Sequence, residues 1–325
     1  MGVLLLTMIL TGCGAGVFRP SPGTIVSTSS TTVSLYPETT EDLNGPCLFD
    51  LRLPAGGGAA VGTLVVYERG DTQLFYDDAS VQASADTLHL AMLFAHECDA
   101  ATTGSFQADA SKGPSRVLTA ALSELAVSSG HIELSTGQLI LFGYSAAGVL
   151  VATMTEILPS RILGAVEYIP GDLYINLDQV SISPANAQIP TLILDNALDT
   201  KSGTTRGMDY FLRGLPLKAL WAYGVQHATD HCCSLSTRSL VLPWMAALAG
   251  VGGNTLMNPG AFPSSVYGLF TCIQNTTVDV FGQTNCVISA ASLETSMLAS
   301  SRYGWLPDMA SGRAWLAWVL NPVTN

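Results

Sequence analysis

A serine stands at position 145 in Gly143-Tyr144-Ser145-Ala146-Ala147-Gly148, with small residues two places before and two places after it. The apolar run Gln138–Phe142 leads into this hexapeptide and a helical pattern, Gly148–Leu158, leads out of it. A serine on a sharp turn between a buried strand and a helix needs small neighbours, because the backbones crowd there. Such a turn lifts the hydroxyl above the rim of a sheet and sets the first N–H groups of the helix beside it. The chemistry expected is acyl transfer with Ser145 as nucleophile. A hydroxyl attacks only when a base takes its proton, and the base needs a third group to orient it. The chain has five histidines, so the search is short. His89 lies inside an apolar run, His96 at its end, and His131 before the strand that carries the serine. His227 and His231 follow the run Ala219–Val225, the last of the strand patterns in the alternating series. A base arriving in the loop after the final strand reaches a serine on a central one. His231, mid-loop in Asp230-His231-Cys232-Cys233, has a reach that His227, close to the strand end, lacks. For the acid, Asp199 stands about one turn beyond the run Thr191–Leu194, whereas Asp195 is still at the strand's edge. Turn formation or helix capping is the ordinary role for either aspartate. The developing oxyanion needs donors. One is the N–H of Ala146; the second is expected from Glu68-Arg69-Gly70-Asp71-Thr72, at Gly70 or Asp71, since Gly70 permits an unusual backbone.

Such a constellation must be held by a scaffold, and the chain has the rhythm of one. Strand patterns at Phe49–Leu53, Thr63–Tyr67, Leu88–Ala95, Gln138–Phe142, Ile162–Ile169, Thr191–Leu194 and Ala219–Val225 alternate with helical patterns. Those helices are expected at residues 73–87, Ser115–Ser128, Gly148–Leu158, Gly203–Arg213 and Leu240–Ala249. Strands apolar on both faces and separated by helices imply a mostly parallel, doubly wound α/β sheet covered on both sides. Ligands of such sheets bind at the carboxyl ends of the strands. The tail from Gly250 onward is richer in Gly, Asn and Ser and ends in an amphipathic helix near Ser311–Leu320, which predicts a small subdomain packed on the main one.

At 325 residues and 48% hydrophobic, the chain has ample material for a large core. A net charge of −12 repels phosphate backbones, so nucleic acid is not an expected partner. Past the first dozen residues no apolar run approaches the ~20 residues that span a bilayer. Met1–Leu10 is itself almost wholly apolar and is followed by Thr11-Gly12-Cys13, which reads as an export signal ending in a lipobox-like tetrad with Cys13 as the lipidated residue. The expected location is then the cell envelope, with the membrane engaged only through the N-terminal lipid. Residues 14–46, rich in Ser, Thr, Pro and Gly, suit a tether, although Thr32–Tyr36 alternates like an edge strand. The division expected is 1–12 signal, 13–46 tether, 47–249 catalytic domain and 250–325 C-terminal extension. Six of the seven cysteines remain after Cys13, an even number that suits disulfides in an oxidising compartment. Cys272 and Cys286 bracket a short polar segment and are the pair the sequence suggests; the connectivity of Cys47, Cys98, Cys232 and Cys233 stays open. No Cys/His spacing suits zinc.

The order Ser145…Asp199…His231 on a βα-alternating chain with a nucleophile elbow resembles the α/β-hydrolase superfamily, over roughly residues 47–249. In detail, the segments SELAVSSGHIELSTGQLILFGYSAAG and HCCSLSTRSLVLPWMAALA look like bacterial exported or lipid-anchored esterase-like hydrolases. The resemblance implies the α/β-hydrolase fold and a serine hydrolase that cleaves a small-molecule carboxylic ester through a Ser145–His231–Asp199 triad and an acyl-enzyme, with no cofactor and no metal. The family's elbow more often ends in Gly where this chain has Ala147, and Glu68-Arg69-Gly70-Asp71 replaces the usual His-Gly pair of the oxyanion loop. Only a loop's length, Gly171–Pro190, stands where a lid is commonly inserted, which argues against a deep lipase-type lid. Tyr144, Tyr168, Tyr174 and Trp221 are candidates for lining an acyl or aryl pocket. Phe270, Trp305 and Trp315 would form a wall of the cleft or buttress the sheet. Two other readings stand beside this one: an inactive hydrolase-fold surface lipoprotein that binds rather than cleaves, and a serine peptidase or acyltransferase using the same site.

Overall fold

The computed structural model describes residues 25–28, 31–171, 174–175, 178–251, 262, 264–295 and 303–320. Cys13, the apolar residues 1–12 and the first part of the expected tether lie outside the described residues. The chain begins with β1 (Ile25–Thr28), β2 (Thr32–Leu35), β3 (Cys47–Arg52) and β4 (Gly62–Tyr67). Two short helices, α1 (Thr72–Asp77) and α2 (Ala79–Thr87), precede β5 (Leu90–His96). Next come α3 (Pro114–Ser129), β6 (Gln138–Tyr144), α4 (Ala146–Ile157) and β7 (Ile162–Tyr168). Among the described residues, the stretch in the lid position carries β8 (Tyr174–Ile175), β9 (Asp178–Gln179) and α5 (Pro184–Ala187). Then follow β10 (Thr191–Asn196), α6 (Thr205–Gly214), β11 (Trp221–Gln226) and α7 (Arg238–Val251). The C-terminal part is β12 (Val266–Val278), β13 (Thr284–Glu294), β14 (Tyr303–Leu306) and α8 (Met309–Leu320).

Among the described residues the main sheet has nine strands in the order β1-β2-β3-β5-β4-β6-β7-β10-β11. From β5 to β11 every pairing is parallel, while β3 runs antiparallel to both β2 and β5. Side chains alternate across this sheet with period two. Leu64, Val66, Met92, Phe94, Ile140 and Phe142 join one apolar cluster, and their neighbours Val65, Tyr67, Leu93, Ala95, Leu139 and Leu141 join the other. Helices α3 and α4 feed the second cluster; α2, α6 and α7 feed the first. That is the double-sided burial the continuous apolar runs predict.

Three expectations change. The helical pattern over 73–87 is two helices, because Asp78 takes an extended backbone and its carboxylate accepts from the N–H groups of Ser80 and Val81, starting a new helix. The tether over 13–46 is too long: β2 buries Val33 and Leu35 and pairs with β3, so the domain starts well before residue 47. Glu41 reinforces this through an ion pair with Arg116 at 2.6 Å. Finally, the C-terminal extension, expected as a small subdomain, forms a small antiparallel sheet, β13-β12-β14, that has no core of its own among the described residues. Phe270, Trp305, Trp315 and Trp318 are buried in the same cluster as Trp221 and Tyr223. Phe270, Trp305 and Trp315 therefore buttress the sheet, and Trp221 stacks on Tyr210 within the core, 4.9 Å between ring centroids.

The cysteines pair as Cys47–Cys98, Cys232–Cys233 and Cys272–Cys286, so the pair suggested by sequence is joined and the open connectivity is filled. On a chain-entropy view, closing the 51-residue separation of Cys47–Cys98 stabilises the fold by about 4 kcal/mol.

One buried pair makes the fold sensitive to pH. Glu167 and Asp195 lie on neighbouring strands beneath α6, both wholly buried. Burial, with Asp195 alongside, holds the Glu167 carboxyl well above the usual carboxylate range, and burial does the same to Asp195 although the Tyr223 hydroxyl donates to it at 2.8 Å. Because the folded pKa is raised, the folded chain binds more protons than the unfolded chain above about pH 4, and stability is lost as pH climbs from there toward the folded value. Glu167→Gln removes the share of this loss that Glu167 carries, while Asp195 keeps its own. Thermal melts should show variant and wild type close at pH 4 and the variant ahead at pH 8, by about 2 °C for each ~1 kcal/mol relieved. A gap that stays constant across that range would mean that Glu167 does not carry the effect.

Candidate active site

Strand β6 ends at Tyr144 and helix α4 begins at Ala146, so Ser145 is the whole of the turn between them. Its backbone sits at φ 56°, ψ −124°, a region that costs a non-glycine residue about 1–3 kcal/mol. Surrounding hydrogen bonds hold it there: the Ser145 N–H donates to the Tyr168 carbonyl at 2.9 Å, and the Ser145 carbonyl accepts from the Gly148 N–H at 2.8 Å. The flanking small residues are required by contact. A Cβ on Gly143 would overlap the Ala147 carbonyl, and one on Gly148 would come within 3.0 Å of Pro170 Cα.

The serine's partners come from two loops at the carboxyl ends of β10 and β11. Asp199 follows β10, is wholly buried, and lies with Oδ2 2.7 Å from His231 Nδ1. His231 follows β11 and lies with Nε2 3.0 Å from Ser145 Oγ. With Asp199 ionised, Nδ1–H donates to the carboxylate and Nε2 is left to accept from the serine hydroxyl. The other carboxylate oxygen, Oδ1, accepts from the N–H groups of Lys201 at 2.7 Å and Ser202 at 3.0 Å. The two competing residues point elsewhere. The His227 ring meets the Ile288 carbonyl at 2.9 Å, and Asp195 is turned toward α6 and Tyr223.

This architecture is the α/β-hydrolase fold. Its strand order, the antiparallel strand β3 beside the parallel run and its elbow at the end of β6 meet in one molecule, with side chains from the loops after β10 and β11 converging on the elbow. No family model and no curated protein matches the chain. Among solved structures the chain is similar to a poly(3-hydroxybutyrate) depolymerase from Bordetella parapertussis, at 15% identity over 68% of this chain and 86% of that one, TM-score 0.40. It is similar also to an S-formylglutathione hydrolase from Agrobacterium tumefaciens, at 12% identity over 70% and 98%, TM-score 0.46. A third is a hyperthermophilic esterase from Pyrobaculum calidifontis, at 12% identity over 69% and 86%, TM-score 0.44.

Above the elbow of this hydrolase fold, Gly70 takes φ 58° directly under the Tyr144 ring; a Cβ there would stand 2.5 Å from Tyr144 Cε1. The Ala146 N–H belongs to the first turn of α4, where helix geometry gives it no intrahelical acceptor. Asp71, expected only as a backbone donor, also acts through its side chain. Its carboxylate accepts from the Ser234 N–H at 3.0 Å, tying the loop after β4 to the loop that carries His231.

Several residues that sequence reasoning misses hold the base. The Tyr144 hydroxyl donates to the His231 carbonyl at 2.8 Å, and the Tyr168 hydroxyl donates to the Cys232 carbonyl at 2.7 Å. By sequence both tyrosines are candidates for pocket lining; their hydroxyls instead grip the base loop, and burial raises both phenols far above their ordinary range. Asn196 adds a donor to the Asp230 carbonyl at 2.6 Å. A pocket of about 260 Å³ opens beside the base, lined by Leu198, Ala228, Thr229, Asp230, Cys232, Cys233 and Ser236. Tyr174 falls where side chains are not described. Among the described residues no three His, Cys, Asp or Glu side chains are grouped to hold a metal ion, and no helix is long and apolar enough to cross a membrane.

Proposed function

We propose that this chain is a serine hydrolase of carboxylic esters that works through an acyl-enzyme on Ser145. The observation that carries the reading is the unbroken line Ser145 Oγ–His231–Asp199, with separations of 3.0 and 2.7 Å, set at a strained elbow. In this reading His231 Nε2 takes the serine proton as Oγ attacks the ester carbonyl. Asp199 fixes the tautomer and steadies the imidazolium that forms. The N–H of Ala146, with that of Gly70 or Asp71, receives the negative charge that develops on the carbonyl oxygen. The proton then passes from His231 to the departing alcohol. Water repeats the sequence on the acyl-enzyme and releases the acid. The experiment is a series of p-nitrophenyl esters of increasing chain length run beside peptide substrates. Turnover of the esters with none on peptides is expected; turnover of peptides alone would replace this reading with a peptidase.

The chain's place in the cell is part of the same proposal: export and anchoring by lipid on Cys13, supported by the lipobox-like Leu10-Thr11-Gly12-Cys13. Two acyl chains hold a protein stably at a membrane where one does not. Expressed in a bacterium, the wild type is expected in the detergent phase on partition, and Cys13→Ser in the aqueous phase or stalled with residues 1–12 attached. Wild type that is freely aqueous with residues 1–12 intact would refute the anchor.

A further inference from the structure

We propose that Asn285, on the C-terminal strand β13, is a positioning residue that fixes the backbone carrying Asp199. The inference rests on the hydrolase reading above and deepens it. Asn285 is wholly buried, and its amide is used in full on the acid's loop. Nδ2 donates to the Asp199 carbonyl at 2.7 Å and to the Ala197 carbonyl at 3.2 Å, and Oδ1 accepts from the Thr204 N–H at 3.0 Å. One side chain therefore grips both ends of the loop, residues 197–204, and its middle at Asp199.

The loop's interior explains why this grip matters. The N–H groups of Lys201 and Ser202 orient Oδ1 of Asp199, which leaves Oδ2 facing His231. The carboxylate is thus rigid relative to its own loop, and its direction toward the imidazole changes only if the loop shifts as a body. Asn285 opposes that shift. Its neighbours act on the same loop: Asn275 donates to the Ala197 carbonyl at 2.9 Å, and the Cys286 N–H donates to Thr204 Oγ1 at 2.6 Å. The Cys272–Cys286 disulfide joins the two strands from which these contacts come. The C-terminal extension thereby becomes part of the catalytic machinery, without touching substrate.

A residue that merely docks the C-terminal hairpin would lower stability when replaced and would act the same whether or not Asp199 is intact. A positioning residue lowers kcat through Asp199. Asn285→Asp keeps the size and the acceptor for Thr204 but removes both N–H donors; Asn285→Ala removes all three bonds. The test measures kcat and KM on a short p-nitrophenyl ester for the full chain carrying each substitution, for Asp199→Asn, and for Asp199→Asn with Asn285→Asp, with circular-dichroism melts throughout. A misplacement near 1 Å costs about 10²-fold. The expected result is therefore a fall in kcat of about 10²-fold with KM within about 2-fold, shrinking to less than about 3-fold in the Asp199→Asn background. Folded Asn285→Asp protein with kcat within about 3-fold of wild type overturns the proposal. So does an equal loss in both backgrounds, and so does failure of both variants to fold, which would make Asn285 a residue of the core alone. Wild type that neither hydrolyses esters nor labels with a fluorophosphonate would remove the hydrolase reading itself, whereas a labelled wild type beside a fully active variant removes only the positioning role.

Discussion

Ser145→Ala should abolish covalent labelling by a fluorophosphonate and lower kcat by about 10⁶-fold, the scale on which a missing nucleophile in such a triad is felt. The residual rate should be that of the donors and the binding site acting on water. Stability should change little, since the hydroxyl's bond to His231 is only part-buried and the strained backbone at φ 56° stays with either side chain. The variant melting curve and the loss of label, read together, separate chemistry from folding. A variant that keeps most esterase activity would place the nucleophile elsewhere and remove the function proposed above. Wild type that never labels would restore the reading of a binding protein on a hydrolase scaffold.

The second large effect separates the two histidines after β11. His231→Ala should cost about as much as losing Ser145, because the members of such a unit fail together. Asp199→Asn should cost about 10⁴-fold, since the base remains but its tautomer and orientation are wrong. His227→Ala should leave kcat nearly intact and remove about 1 kcal/mol of stability with the bond to the Ile288 carbonyl. All are measured as kcat on one ester under one set of conditions. An inactive His227→Ala beside an active His231→Ala would reverse the assignment of the base while leaving a hydrolase.

The elements that carry these residues are legible because their signals are local. Runs such as TLVVY and QLILF are apolar on both faces, and only a central parallel strand buries both. The elbow shows through crowding, which dictates residue size at Gly143 and Gly148. The choice of His231 over His227 and of Asp199 over Asp195 follows from reach along a loop, a property of topology. What escapes has no local signature. The break at Asp78 is one side chain competing for two N–H groups within an otherwise helical pattern. Strand β2 hides in a stretch of serines and threonines, with only Val33 and Leu35 facing inward. The residues steadying the triad, Tyr144, Tyr168, Asn196 and Asn285, bond to backbone carbonyls far along the chain, 86 positions away for Asn285 and Asp199. A carbonyl carries no mark in the sequence, so such pairs appear only once the chain is folded.

Strand β11 is the last in its sheet, and a last strand ordinarily leaves a row of unpaired carbonyls and N–H groups that invite another chain to add itself. Here Trp315 from α8 donates its indole N–H to the Tyr223 carbonyl at 2.8 Å, and Gly304 of β14 lies so close to Ala222 that a Cβ would stand 2.8 Å from its Cα. The C-terminal segment is in this respect a stopper. It keeps the growing end of the sheet from templating aggregates, and a chain shortened at residue 250 would expose both that edge and the apolar surface around Tyr223 and Gly224 to its neighbours.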